Sequence, residues 1–153
     1  MQAMGEVIRV KGSVYVEHYR NGRRIDARYF GNLVVTVGKQ WLSGALSGDT
    51  TTPSDMKYIE IGVGTTAAGA TQTALVSAVG DRSTGTQSRV TTTVTSDTYQ
   101  AVGTISITDT WAVTEAGIFS AISSGTMMAR QTFTAINVVS GDSVQITWKL
   151  AFA

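Results

Sequence analysis

The stretch Ser143–Phe152 reads S-V-Q-I-T-W-K-L-A-F and alternates between apolar side chains and polar or small ones. Its apolar members are Val144, Ile146, Trp148, Leu150 and Phe152. A period of two places these side chains on one face of a β-strand and the others on the opposite face. We therefore predict that this stretch is the central core strand, and that the rest of the chain forms the sheets that pair with it and pack against it.

The composition of the chain also favours β-structure. Its 153 residues include 16 glycines and one proline, with abundant Thr, Ser and Val. Alternating segments are separated by turn signals roughly every 8–12 residues, which favours an antiparallel β-sandwich or jelly roll over a parallel α/β fold. The predicted strands are Val7–Tyr19, Arg23–Phe30, Met56–Val63, Ser88–Thr95, Tyr99–Thr108, Val113–Ser120, Thr126–Ala135 and Ser143–Phe152.

Two short segments have a helical period instead. Apolar residues three and four apart predict an amphipathic helix over Asn32–Leu46, with Asn32 as its N-cap and Gly48 closing its C-terminus. The β-branched run Leu33–Val37 is a poor start for a helix, so a strand at that position is the alternative. A second short helix is predicted at Thr71–Val79.

The basic residues concentrate at the N-terminal end of the chain. Residues 1–40 carry a net charge of +4, residues 41–153 carry −3, and the whole chain carries +1. Asn21-Gly22 is a strong signal for a two-residue hairpin turn. We therefore divide the chain into an N-terminal basic hairpin or arm, residues 1–30, and a single compact β-sandwich, residues 31–153.

This hairpin supplies most of the candidate interface residues. They are Arg9, Lys11, Tyr15, Tyr19, Arg20, Arg23, Arg24 and Arg28. Arginines interleaved with tyrosines suggest nucleic acid, but the cluster is small and the whole chain is not basic, so nucleic-acid binding is not expected. Docking onto an acidic protein surface explains the cluster equally well, and a solvated hairpin end is the alternative.

The sequence offers little material for catalysis or metal binding. There is no cysteine, and His18 is the single histidine, so we expect no metal site, no cofactor and no enzymatic activity. Gly64 and Gly69 have the spacing of a phosphate-binding loop, but Ala70-Thr71 stands where that loop requires a lysine followed by Ser or Thr. A tight glycine turn is the simpler interpretation.

Three further features concern partners. Charged residues make up only 15% of the chain, which favours burial between subunits of a homo-oligomer over a monomer. No apolar run approaches the ~18 residues that a membrane span needs, so no membrane partner is expected. Trp111 lies in a turn-rich segment and is the tryptophan kept as a candidate ligand or surface contact.

Several segments resemble small structural proteins of tailed bacteriophages. The similar segments, all between Asn32 and Phe152, are N-L-V-V-T-V-G-K at Asn32–Lys39 followed by Trp41-Leu42, I-E-I-G-V-G-T-T at Ile59–Thr66 with Thr73–Leu75, V-T-E-A-G-I-F at Val113–Phe119, G-T-M-M-A-R at Gly125–Arg130, and Ile146–Trp148. The basic hairpin lies outside the resemblance.

The resemblance implies a virion component made in the host cytoplasm, with no catalytic residues to carry over. It favours a decoration or cement protein that binds the major capsid protein or other virion proteins and stabilises the assembled shell. In this hypothesis the hairpin reaches a capsid protein or an adjacent subunit. A tail, neck or fibre component is the alternative, and a carbohydrate-binding module that uses Trp111 is a further one.

Overall fold

The computed structural model describes residue 5, residues 7–51 and residues 55–153. Within them, the chain forms two antiparallel five-stranded sheets and one α-helix, so the prediction of an all-β antiparallel sandwich is confirmed. The strands are β1 Val10–Arg20, β2 Arg23–Gly31, β3 Leu33–Val34, β4 Tyr58–Gly62, β5 Ala78–Thr84, β6 Thr86–Val90, β7 Thr98–Ser106, β8 Trp111–Phe119, β9 Met127–Val138 and β10 Ser143–Phe152, and the helix is α1 Thr36–Ser47.

Strand β10 lies at the centre of the first sheet, whose order is β2-β1-β10-β7-β6. It pairs with β1 on one side and with β7 on the other over nearly its whole length. Trp148 is 2% exposed and belongs to the main core. The prediction that Ser143–Phe152 is a central core strand is therefore confirmed.

The second sheet has the order β3-β9-β8-β4-β5 and packs face to face with the first. Phe30 of the first sheet stacks on Phe133 of the second, with ring centroids 5.4 Å apart. The Arg28 guanidinium also crosses between the sheets and donates hydrogen bonds to the carbonyl oxygens of Thr134 and Ala135. Aromatic stacking and apolar burial thus hold the layers together.

The N-terminal hairpin is part of the sandwich, not an arm beside it. Its turn at Asn21-Gly22 forms as predicted, with φ values of 51° and 72°. Strand β1, however, lies between β2 and β10, and Val14 and Val16 are fully buried. Residues up to 30 therefore do not form a separate arm, because the apolar face of β1 supplies part of the common core.

Helix α1 begins later than predicted. Leu33 and Val34 form β3 and pair with Ala129 and Arg130 of β9, as the alternative of a strand at the β-branched run anticipated. Val35 occupies the N-cap position without a side-chain hydrogen bond, so the N-cap prediction for Asn32 is wrong. The C-terminal prediction is confirmed, since Gly48 has a φ of 71° in the left-handed region.

The second predicted helix, Thr71–Val79, is wrong. That segment is a turn and a series of bends, and β5 begins within it at Ala78. The backbone N–H groups of Val76 and Ser77 donate hydrogen bonds to the carboxylate of Glu115. A helix would direct those groups to carbonyl oxygens of its own preceding turn, so the two arrangements are incompatible.

Helix α1 approaches β9 so closely that only glycine fits at the contact. A Cβ on Gly38 would lie 2.3 Å from the carbonyl oxygen of Met128. Gly38→Ala gains helix propensity of about 1 kcal/mol but forces the helix away from β9. We expect a net loss of about 1–2 kcal/mol in the free energy of unfolding, measured by urea titration.

The matched control for this substitution is Ser43→Ala, which makes an equally small change at an exposed position of α1. It should leave stability the same or slightly higher. A Gly38→Ala protein as stable as the unmodified chain would show that the helix shifts freely over β9.

Candidate functional site

Among the described residues, two clusters of buried charged side chains join parts of the chain that are far apart in sequence. The first is the ion pair between Glu115 on β8 and Arg130 on β9, both fully buried. The Arg130 guanidinium donates a hydrogen bond from Nε to Oε2 of Glu115 at 2.8 Å, and its Nη2 lies 2.7 Å from the same oxygen as an ion pair. Burial raises the pKa of Glu115, but hydrogen bonds from Ser77, Val76 and Arg130 outweigh that effect and leave the pKa below its ordinary value.

This ion pair holds the glycine-rich turn and the segment after it. Glu115 accepts from the backbone N–H of Gly64 at 3.0 Å as well as from Val76 and Ser77. Arg130 also donates to the Thr66 carbonyl and the Gln72 side chain, at 2.9 and 2.8 Å. The glycine turn therefore binds a carboxylate of β8, and this contact fixes the turn against the second sheet.

The second group surrounds Asp142, in the turn before β10. Its carboxylate accepts from His18 Nε2 at 2.7 Å, from two nitrogens of Arg20 at 2.8 Å each, and from the Val139 N–H at 3.0 Å. The Arg20 guanidinium is the main cause that holds the pKa of Asp142 well below its usual range. Because a carboxylate only accepts, Nε2 of His18 carries the hydrogen. These contacts tie β1 to the turn before β10.

Several of the candidate interface residues of the hairpin are engaged within the chain. Arg20 binds Asp142, Arg24 binds Glu17 at 2.9 Å, and Arg28 binds Asp26 at 2.8 Å. The two tyrosines beside them join these contacts: Tyr19 donates to Glu17 at 3.2 Å, and Tyr15 accepts from Arg24 at 3.3 Å. Arg9, Lys11 and Arg23 are exposed. The hairpin tip is therefore less positive than its sequence suggests.

Trp111 begins β8 and is half-buried against the main core. Its indole ring covers Gly80, where an added Cβ would lie 3.1 Å from Cη2. Gly80 has a φ of 67°, so the backbone bends in the left-handed region beneath the ring. The tryptophan therefore packs much of its surface within the fold and is not an open stacking platform.

An apolar surface that the sequence did not reveal flanks helix α1. Two adjoining grooves of about 220 and 480 Å³ lie on either side of Leu42 and share Leu42, Met128 and Leu150. We call them together the helix-flanking groove. Of its lining residues, Ile8, Val10 and Phe152 are large, apolar and exposed. The exposed Val7 directly precedes Ile8, and the exposed Leu46 lies one helical turn after Leu42 on the same face of α1. Val10 and Phe152 are cross-strand neighbours, whereas their sequence positions give no sign of proximity.

Comparison with known proteins gives no match: no family model, no curated protein and no solved structure matches this chain. Over the ranges that the structure describes, no helix is long and apolar enough to cross a membrane. Within those same ranges, no three His, Cys, Asp or Glu side chains group in a way that would hold a metal ion.

Proposed function

We propose that this chain is a non-enzymatic structural protein of a tailed-bacteriophage virion, and that it decorates and stabilises the assembled capsid. The resemblance of the segments between Asn32 and Phe152 supports the virion assignment. The helix-flanking groove is the main support for a role in binding the capsid, because contiguous exposed apolar surface marks protein–protein contact sites. Both buried charged groups serve internal contacts, which fits a scaffold.

The charge of the groove indicates what kind of surface it fits. Arg9 and Lys39 are part of its lining, and none of the lining residues that the structure describes carries a carboxylate. Ile8 and Leu46 are 72% and 83% exposed and offer apolar contacts at two places around it. A segment of the major capsid protein with apolar side chains between acidic residues is complementary to this arrangement.

The helix-flanking groove, and not the hairpin tip, is the main capsid contact in this hypothesis. Arg20, Arg24 and Arg28 of the hairpin already bind Asp142, Glu17 and Asp26, so displacing those contacts would offset the gain from a new partner. Arg9 and Lys39 lie instead beside exposed apolar side chains. Self-association through other surfaces would place several copies together on the shell, and binding to assembled shell would stabilise it by mass action.

The direct experiment measures co-sedimentation with pre-formed capsids of the corresponding phage. Ile8→Asp and Leu46→Asp each place a negative charge in or beside the groove, and we expect each to weaken binding about tenfold or more. Val94→Asp is the matched control, because Val94 is 67% exposed in the loop between β6 and β7. It should bind as the unmodified chain does.

Three outcomes would overturn parts of this proposal. Unchanged capsid binding by Ile8→Asp and Leu46→Asp would exclude the groove, and loss of binding in Arg23→Glu alone would return the contact to the hairpin tip. Labelled protein found at the tail, neck or fibres of virions would favour those locations over the shell. Point substitutions are preferable to deletion of residues 1–30, since that deletion removes β1 from the core.

A further inference from the structure

The outer face of the first sheet carries a groove that the capsid-binding proposal does not use. Two adjoining depressions of about 210 and 190 Å³ lie there and share Ser13, Tyr29 and Lys149. We call them together the tyrosine groove. Tyr15, Gln100 and Thr147 complete the first depression, and the second adds Lys11, Thr92, Thr98 and Ala151.

Strand register brings these side chains together from four strands. Tyr15 pairs with Tyr29 on one side and with Thr147 on the other. Lys149 is paired with Ser13 and also with Gln100. Directly opposed residues on neighbouring strands have Cβ atoms about 4.5–5.5 Å apart, so the two rows form one continuous surface on a rigid sheet.

One aromatic side chain of the groove, Tyr29, is open to solvent. Tyr29 is 67% exposed, on a strand whose inward neighbour Phe30 stacks in the core. Tyr15 is half-buried beside it, and its hydroxyl is held by Arg24. An exposed tyrosine on a fixed backbone offers a flat apolar face and a hydroxyl at low cost in side-chain entropy, a combination that suits ligand binding.

The polar groups of the groove are neutral or positive. Ser13, Gln100 and Thr147 offer hydroxyl and amide groups that both donate and accept hydrogen bonds. Lys11 and Lys149 supply two positive charges, and among the described residues no carboxylate lines either depression. The nearest acid along β1, Glu17, already accepts a hydrogen bond from Arg24.

We propose that the tyrosine groove binds an anionic saccharide, a sugar that carries a carboxylate or a phosphate group. The apolar face of the sugar ring lies against Tyr29, its hydroxyl groups bond with Ser13, Gln100 and Thr147, and its acidic group lies near Lys149 or Lys11. Each feature of the ligand corresponds to one feature of the groove. The capsid contact proposed above uses a different surface, the helix-flanking groove.

Single-stranded nucleic acid shares the negative charge and the stacking, but it fits less well. Its affinity rests mainly on neutralising several phosphates in a row, and this groove has two lysines. Among the described lining residues there is also no second exposed ring on which a following base would stack, since Tyr15 is half-buried and bound by Arg24. A few hydroxyl-binding side chains around one open ring suit a short saccharide better.

The test begins with an array of neutral, carboxylated and phosphorylated saccharides, probed with the full chain. The best-bound free oligosaccharide is then titrated by calorimetry into Tyr29→Ser and Lys149→Gln variants. We expect each substitution to weaken binding about tenfold or more. The matched controls are Ile25→Ser, another exposed apolar position on β2, and Arg89→Gln, an exposed cation on β6 that lines neither groove; both should bind within about twofold of the unmodified chain.

The carboxylated and phosphorylated members of the array distinguish the source of the negative charge. Equal binding of neutral saccharides would overturn the role of the lysines, and binding to no saccharide would overturn the proposal. Tighter binding of an oligothymidylate than of any saccharide would overturn it in favour of nucleic acid. Thermal unfolding of each variant confirms that it folds, and these surface substitutions should leave stability nearly unchanged.

Discussion

Replacing Arg130 with methionine is expected to lower the free energy of unfolding by about 3–5 kcal/mol. The substitution preserves much of the side-chain volume but removes the positive charge that faces Glu115 in a fully buried position. The carboxylate then remains buried without its countercharge. The hydrogen bonds to Thr66 and Gln72 are lost as well, so the glycine turn loses two of its contacts.

Urea unfolding of four proteins measures this effect: the unmodified chain, Arg130→Met, Glu115→Gln and the double variant. Glu115→Gln should lower the free energy of unfolding less in the Arg130→Met protein than in the unmodified chain. In the Arg130→Met protein the Glu115 carboxylate has no countercharge, and the glutamine removes that unpaired charge. Arg89→Met is the control, since Arg89 is an exposed arginine on β6. A loss below about 1 kcal/mol for Arg130→Met would mean that water reaches the carboxylate once the arginine is gone.

The second large effect is expected at Asp142. Asp142→Asn should cost about 2–3 kcal/mol, because the amide nitrogen is a donor and cannot replace a carboxylate oxygen among donors. Oδ2 accepts from His18, Arg20 and Val139, and these donors would compete for a single remaining oxygen. Asp109→Asn is the control, since Asp109 lies in an exposed turn and accepts only from the next residue's N–H among the described hydrogen bonds.

The stability that the Asp142 carboxylate contributes should decrease as the pH is lowered. The pKa of Asp142 is lowered in the folded protein from an ordinary value of 3.8, so its contribution to stability is present above about pH 4. That contribution is lost as the pH falls through the folded pKa. The stability difference between the unmodified chain and Asp142→Asn should therefore shrink in acid, measured by urea titrations between about pH 6 and pH 2.

The remaining acids do not disturb this comparison. The pKa values of Glu115 and Asp97 are also lowered, but both residues are present in both proteins, so their contributions cancel in the difference. A stability difference that stays constant down to pH 2 would show that Asp142 is not the titrating group, and that the asparagine acts through packing alone.

Local pattern was enough to predict the layered β-fold. The alternation over Ser143–Phe152 identifies a strand with one buried face, and Asn21-Gly22 identifies the turn that follows β1. The segment Thr71–Val79 was wrongly predicted as a helix because its structure depends on Glu115, 39 residues after Val76. No local period contains that contact, since it is made between a loop and a strand of the second sheet.

The surfaces were harder to predict than the fold. Tyr15 was a candidate from sequence, but Lys149 and Gln100 join it only through the pairing of β1, β10 and β7. The arginines of the hairpin looked like a free positive cluster, because the sequence does not show that Asp142 lies beside Arg20. The helix-flanking groove likewise arises where Ile8 and Leu150, far apart in the chain, lie beside Leu42 of helix α1.

The antiparallel pairing of β1 with β10 has a consequence for how the protein folds. Val10 pairs with Phe152, so the first sheet joins segments separated by most of the chain. Closing so long a loop carries an entropic cost before any contact forms, and folds dominated by such contacts fold slowly. On the ribosome, the buried face of β1 has no central partner until β10 emerges. A nascent chain therefore leaves that apolar face of β1 uncovered until β10 has been made, and such transiently exposed surface is prone to aggregation.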